Sequence, residues 1–176
     1  MACARAWIAA AVAIAGVCGV CRAQQAVTFQ APSAIAGWTV SGDVKVDASM
    51  DRGGGGGSLR VGPGGKAVWK LRDADGAGQV EMWVYEDQTK AAKPKERHVG
   101  PRWGLIQSDG RVLVVGVLHA PYLAGDTTYS ASDSDQKNWF NVQYLAVPRK
   151  PGWHKWTFDF DPEKGLTILY LSLIHI

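Results

Sequence analysis

The sequence predicts an all-β chain, a two-sheet antiparallel β-sandwich or jelly roll, on three observations. Short runs of alternating apolar and polar residues recur along it, Gly, Pro and Asp punctuate them, and no amphipathic helical period persists beyond the N-terminal segment. The stretch over 153–169, WHKWTFDFDPEKGLTIL, shows the pattern most fully: Trp156, Phe158 and Phe160 share one face of an alternating strand, and Lys155, Thr157 and Asp159 the other. Pro162 cannot continue a central strand and Gly165 accepts a positive φ. The chain is therefore expected to reverse over 161–165 before Leu166 opens a second strand.

The first segment reads as a leader. Arg5 precedes an apolar run over 6–20, and Cys21-Arg22-Ala23 puts small residues at the two positions a signal peptidase reads before Gln24. The run is shorter than the roughly 20 apolar residues of a spanning helix. Residues 1–23 are thus expected to be a cleaved signal peptide, the mature chain to be secreted (periplasmic or extracellular), and no transmembrane segment to follow. A lipid anchor is disfavoured, because Val17 and Val20 stand where a lipobox places Gly or Ala before its cysteine.

All 3 cysteines, Cys3, Cys18 and Cys21, lie in this leader, so no disulfide is expected in the mature domain. Removing Arg5 and Arg22 from the 19 basic residues leaves 17 against 16 acidic ones. A balance so near neutral gives no reason to expect nucleic acid or an anionic membrane surface as partner.

Residues 24–170 suffice for a single domain, with no repeat or change of composition inside them. Candidate strands fall at 27–30, 38–46, 58–61, 67–71, 79–86, 103–107, 111–118, 139–147, 153–160 and 166–170, and Ser108-Asp109-Gly110 makes a hairpin turn. The tail 171–176, LSLIHI, resembles translated adapter sequence and is read as non-native, so the domain is expected to be incomplete at this end.

Three segments carry a resemblance: GGGSLRVGPGGKAVWKL, QVEMWVYED and GWHKWTFDFDPEKGLTIL. Together they resemble the concanavalin A-like lectin/glucanase superfamily, in its LamG-like jelly-roll branch, over most of the mature chain. The resemblance implies two antiparallel sheets, commonly with a carbohydrate or calcium site at the concave face or rim. Glycanases of that superfamily carry carboxylates as E-x-D-x-E or E-x-D-x-x-E on one strand. The comparable strand here, Glu81-Met82-Trp83-Val84-Tyr85-Glu86, has Trp83 and Tyr85 where the shorter pattern needs acids, and Glu81 and Glu86 fall on opposite faces. No catalytic residue is assigned. Asp159 and Asp161 share a face within the broad range of glycosidase pairs, but Asp161 precedes Pro162 at a turn and both read as structural.

Aromatic residues are the better candidates, since all but Trp7 of the 8 tryptophans follow the leader. Trp38, Trp69, Trp103 and Trp156 sit in alternating apolar strands and read as core. Trp83, Tyr85, Tyr122, Tyr129, Trp139 and Trp153 have polar neighbours or loop positions and are the candidates for stacking on sugar rings. The basic run over 90–98 offers Lys95 and Arg97, with Arg102 beyond it, for an acidic polysaccharide, although such runs are more often solvated loops.

After the long connection over 119–129, Asp126, Asp133 and Asp135 could supply oxygen ligands to Ca2+; a plain solvated turn is the competing reading. His98, His119 and His154 lack metal-ligand spacing and read as surface or core-edge residues. The glycine run over 53–57 is a flexible loop, because no helix and no Lys-Ser/Thr pair follow it. The expected function is a secreted carbohydrate-binding module of a larger polysaccharide-associated protein. Two alternatives stand beside it: a non-catalytic structural or protein-interaction sandwich, and a fragment of a glycoside hydrolase whose catalytic residues lie elsewhere.

Overall fold

The structure, a computed structural model, describes residues 6–9, 26–53, 56–70, 77–87, 98–106, 110, 112–119, 127–134, 140–161 and 166–172. The class is all-β, as the turn-punctuated strands predict. Among the described residues, twelve strands, paired antiparallel throughout, are accompanied by one 3-10 turn at Pro32–Ile35 and by no longer helix. The strands are β1 (Ala6–Ala9), β2 (Thr39–Ser41), β3 (Val44–Asp47), β4 (Ser58–Val61), β5 (Lys66–Val68), β6 (Gly78–Glu86), β7 (His98–Ile106), β8 (Val112–His119), β9 (Thr128–Ser134), β10 (Phe140–Pro148), β11 (Gly152–Asp161) and β12 (Leu166–Ser172). The chain divides into two compact units. One spans Asp87–Pro151, and the other combines Ala6–Glu86 with Gly152–Ile176.

The larger unit is built on a six-stranded sheet in the order β12-β11-β6-β1-β4-β3. Its longest seam is β6 against β11, in register from Gly152↔Glu86 to Phe160↔Gly78. Alternation divides this seam into two faces. Val80, Val84, His154, Trp156 and Phe158 centre the core face, each at most 3% exposed. Trp156 and Phe158 thus behave as their spacing predicts, whereas His154, expected at the surface or core edge, is fully buried beside them. Asp161 pairs with Leu166, so β11 and β12 form the expected hairpin around the reversal.

The expected strand over 38–46 is broken in two. Gly42 adopts φ +70, and a Cβ there would collide with the Gly64 carbonyl oxygen, so only glycine fits. A turn opposite, closed by Gly65 N–H donating to the Gly62 carbonyl at 2.9 Å, breaks the following pair of strands at the same level. Consequently β3 pairs with β4 inside the large sheet while β2 pairs with β5 in a separate two-stranded ribbon. Trp38 and Trp69, at the ribbon's end, stack with ring centroids 5.8 Å apart and planes 8° apart. Both are half-buried where core was expected.

Residues 27–30 form no strand. They pass beside Gly57, whose φ of +60 and missing Cβ allow the Phe29 carbonyl to approach closely, and Phe29 is buried edge-on to Trp38.

The smaller unit is a four-stranded meander, β10-β9-β8-β7. Ile106 pairs with Val112, so β7 and β8 make the hairpin expected around residues 108–110. Val114, Val115 and Val117 of β8 are buried on both sides of the alternation, the mark of a strand covered on both faces. Trp103 is buried as expected and meets Tyr129 edge-on, with ring centroids 5.9 Å apart. Pro101 stands where the register of edge strand β7 shifts, between Val99 and Arg102, as befits a residue without an N–H to pair. Strand β9 has no counterpart among the expected strands. Ser132, Asp133 and Ser134, read as part of a solvated Asp/Ser turn, belong to it instead and pair with β8.

Candidate functional site

The second face of the β6/β11 seam carries the candidate site. Gln79, Glu81, Trp83 and Tyr85 alternate onto it from β6, and Trp153, Lys155, Thr157 and Asp159 from β11. At one end, cross-strand partners Tyr85 and Trp153 meet edge-on with ring centroids 5.2 Å apart. Trp83 follows. Its ring lies under the Arg52 guanidinium, whose carbon sits 4.2 Å from the ring centroid, a cation–π arrangement.

Beyond the aromatics the face turns polar. Lys155 Nζ lies 2.5 Å from Glu81 Oε1, joining neighbours that are diagonal in the ladder, and both side chains are half-buried at 26% and 21% exposure. Gln79 Nε2 donates to Asp159 Oδ1 at 2.7 Å. Trp7 and Ala9 of β1 hold the register positions next to Tyr85 and Trp83, and Trp7 also pairs with Arg60 of β4. Arg60 Nη2 in turn reaches Asp43 Oδ2 at 3.3 Å. The face therefore grades from ring surfaces to paired charges and amides within one seam. It sets aromatic rings beside side-chain hydrogen-bonding groups on one sheet face.

Of the residues expected to bind carbohydrate, the structure brings Trp83, Tyr85 and Trp153 together. Trp83 and Trp153 are each 7% exposed and Tyr85 is half-buried, so Tyr85 has the most accessible ring of the three. Tyr129 is 1% exposed and packs on Trp103 within the smaller unit, because β9 is a central strand of its sheet and not the loop its sequence suggests. Arg102 is exposed on β7. Tyr122, Trp139, Lys95, Arg97, Asp126 and Asp135 lie outside the described residues. Asp133 lies on β9, and no group of three or more His, Cys, Asp or Glu able to hold a metal occurs among the described residues.

Arg52, Gln79 and Lys155 were not singled out by the sequence. For Gln79 and Lys155 the signal was present, since the polar faces of two adjacent alternating strands must meet once the strands pair. For Arg52 there was none: its contact with Trp83 joins segments far apart in the chain.

The fold and this face together define a class, an all-β protein of antiparallel sheets with a mixed aromatic and polar sheet face. No protein-family model, curated protein or solved structure gives a significant match to the chain. The concanavalin A-like resemblance therefore rests on the three segments that carry it. Among the described residues no helix is long and apolar enough to cross a membrane.

Proposed function

We propose that this is a secreted carbohydrate-binding module of the LamG-like, concanavalin A-like type, and that the Trp83–Tyr85–Trp153 end of the β6/β11 face receives the glycan. The observation that carries the reading is the juxtaposition of these rings with the Glu81–Lys155 and Gln79–Asp159 pairs on one sheet face. Tyr85 offers the initial stacking surface, Lys155 and Gln79 offer donors, and Glu81 and Asp159 offer acceptors to hydroxyl groups. Trp83 becomes available when Arg52 moves aside.

A second reading, a structural or protein-interaction sandwich without a glycan site, is favoured by one observation: Trp83 and Trp153 are nearly as buried as the core. Retention of the full chain on a panel of insoluble, neutral and acidic polysaccharides separates the two. Binding that resists salt and is lost in Tyr85→Ala supports stacking on this face. Binding that weakens steeply with salt moves the site to the basic segment of Lys95, Arg97 and Arg102. A folded chain that retains nothing on the panel ends the lectin reading.

A further inference from the structure

One ring of the β6/β11 face already holds a cation. The Arg52 guanidinium carbon lies 4.2 Å from the Trp83 ring centroid, and with Arg52 seated there Trp83 is 7% exposed. The cation comes from a segment able to withdraw it. Arg52 is half-buried between exposed Asp51 and exposed Gly53, and Gly53 adopts φ +105 with nothing within 4 Å of the place a Cβ would take. Turning Arg52 away therefore opens no packed contact at the glycine that follows it.

The charges along the seam favour a cation in its place. By alternation Glu81, Asp159 and Asp161 share the second face with Lys155, and Arg52 joins them over Trp83. Lys155 is committed to Glu81, whereas Asp159 accepts from the Gln79 amide, a neutral donor. On the β3 and β4 side, Lys45 and Arg60 are matched by Asp43 and Asp47. The seam is thus formally acidic with Arg52 in place and more so with it turned away. Glu81, Asp159 and Asp161 follow the row of Trp83 in successive steps of about 7 Å, two strand residues each. A neutral sugar on Trp83 leaves that excess uncompensated, and an anionic sugar adds to it. A ring bearing an ammonium group returns a cation to the indole and offsets the carboxylates beyond it.

We propose that this face recognises a cationic glycan, one built of amino sugars with free ammonium groups, and that Arg52 holds the place of the first ammonium until the glycan arrives. The inference rests on the carbohydrate reading above and assigns its substrate class. It also separates this face from Lys95, Arg97 and Arg102, which select the opposite charge.

The test uses the full chain and the trisaccharide of glucosamine, its N-acetylated form and its N,N,N-trimethylated form, titrated by tryptophan fluorescence. The free-amine and trimethylated probes should bind about tenfold tighter than the acetylated one, the size of one cation–π contact at a partly desolvated ring. Asp159→Asn, which keeps an acceptor for Gln79, should weaken both cationic probes about threefold and leave the acetylated probe unchanged. Equal affinity for the three probes overturns the cationic class and leaves the carbohydrate reading standing. So does a chain that retains acidic polysaccharides in preference to the cationic probes. A folded chain that binds neither these probes nor any polysaccharide of the panel ends both. Binding of an oligoarginine peptide with no response to any sugar would transfer the face to a cationic peptide and overturn the inference.

Discussion

Arg52→Ala tests the link between the aromatic face and its cover. The guanidinium carbon is 4.2 Å from the Trp83 ring centroid, well inside the roughly 6 Å limit for cation–π attraction. Arg52 is half-buried and Trp83 buried, so the contact lies between the exposed and desolvated extremes, at about 1 kcal/mol. For a chain of this size that corresponds to a fall in Tm of about 2–4 °C. A double-mutant cycle with Trp83→Phe should return a coupling of about the same energy by calorimetry or denaturant unfolding, to the extent that Phe holds the cation less well.

The same substitution has an opposite effect on binding if a sugar stacks on Trp83, because the ligand no longer displaces the cation. An advantage of about 1 kcal/mol is about fivefold in affinity, readable by affinity electrophoresis in a polysaccharide gel or by quenching of tryptophan fluorescence. Loss of stability with tighter binding is the expected pair of results. An unchanged Tm with negligible coupling would refute the cation–π contact. Weaker binding in Arg52→Ala would show that Arg52 holds the ligand itself and is no cover.

Other expectations follow from single contacts. The Glu81–Lys155 pair should show a coupling of about 0.5–1 kcal/mol in a double-alanine cycle at low salt, shrinking as salt is added, since both groups retain partial exposure. Phe158→Ala removes a fully buried ring from the core face and should cost about 3–5 kcal/mol in denaturant unfolding, against less than about 1 for Thr157→Ala on the half-exposed face. At the end of β3, the Ser49 hydroxyl donates to Asp47 Oδ1 at 2.5 Å and the Ser49 N–H to the same oxygen at 2.9 Å, and these bonds hold the Asp47 carboxyl below the ordinary carboxylate range. A carboxyl lowered on folding stabilises above its unfolded pKa, and that contribution is lost as pH falls through the folded value. Ser49→Ala should therefore move the Asp47 midpoint upward, as read by NMR titration. If Asp126, Asp133 and Asp135 bind Ca2+, millimolar calcium should raise the Tm of the full chain; an unchanged Tm would remove that assignment.

Most of the fold was legible where alternation and turn residues agreed. Ser58–Val61 appears with its expected bounds, and the β11/β12 hairpin with the expected division of Trp156 and Phe158 from Lys155 and Asp159. Alternation failed where pairing changes along one apparent strand: nothing in 38–46 but Gly42 marks the corner at which the chain leaves the ribbon for the large sheet. Strand β9 was hidden because its Ser and Asp residues carry turn propensity, which β8 and β10 override by pairing on both sides. At the site, the sequence named the rings of Trp83, Tyr85 and Trp153 but not the contact of Tyr85 with Trp153, because that depends on the β6/β11 register between segments far apart in the chain. It read Tyr129 as a loop residue, whereas the meander of the smaller unit buries it on a central strand.

That distant register has a consequence for synthesis. The chain makes β6, then all of Asp87–Pro151, and only then β11. Until Gly152–Asp161 emerges from the ribosome, the edge of β6 that pairs with β11 has no partner, and the apolar face of Val80 and Val84 is incomplete. Unpaired strand edges with apolar side chains are where nascent chains aggregate. If the intervening unit folds early, it draws residues 87 and 151 together and lowers the entropy cost of joining the seam. The yield of soluble protein should then depend on how quickly that intervening unit folds during translation, even though it contributes no residue to the six-stranded sheet.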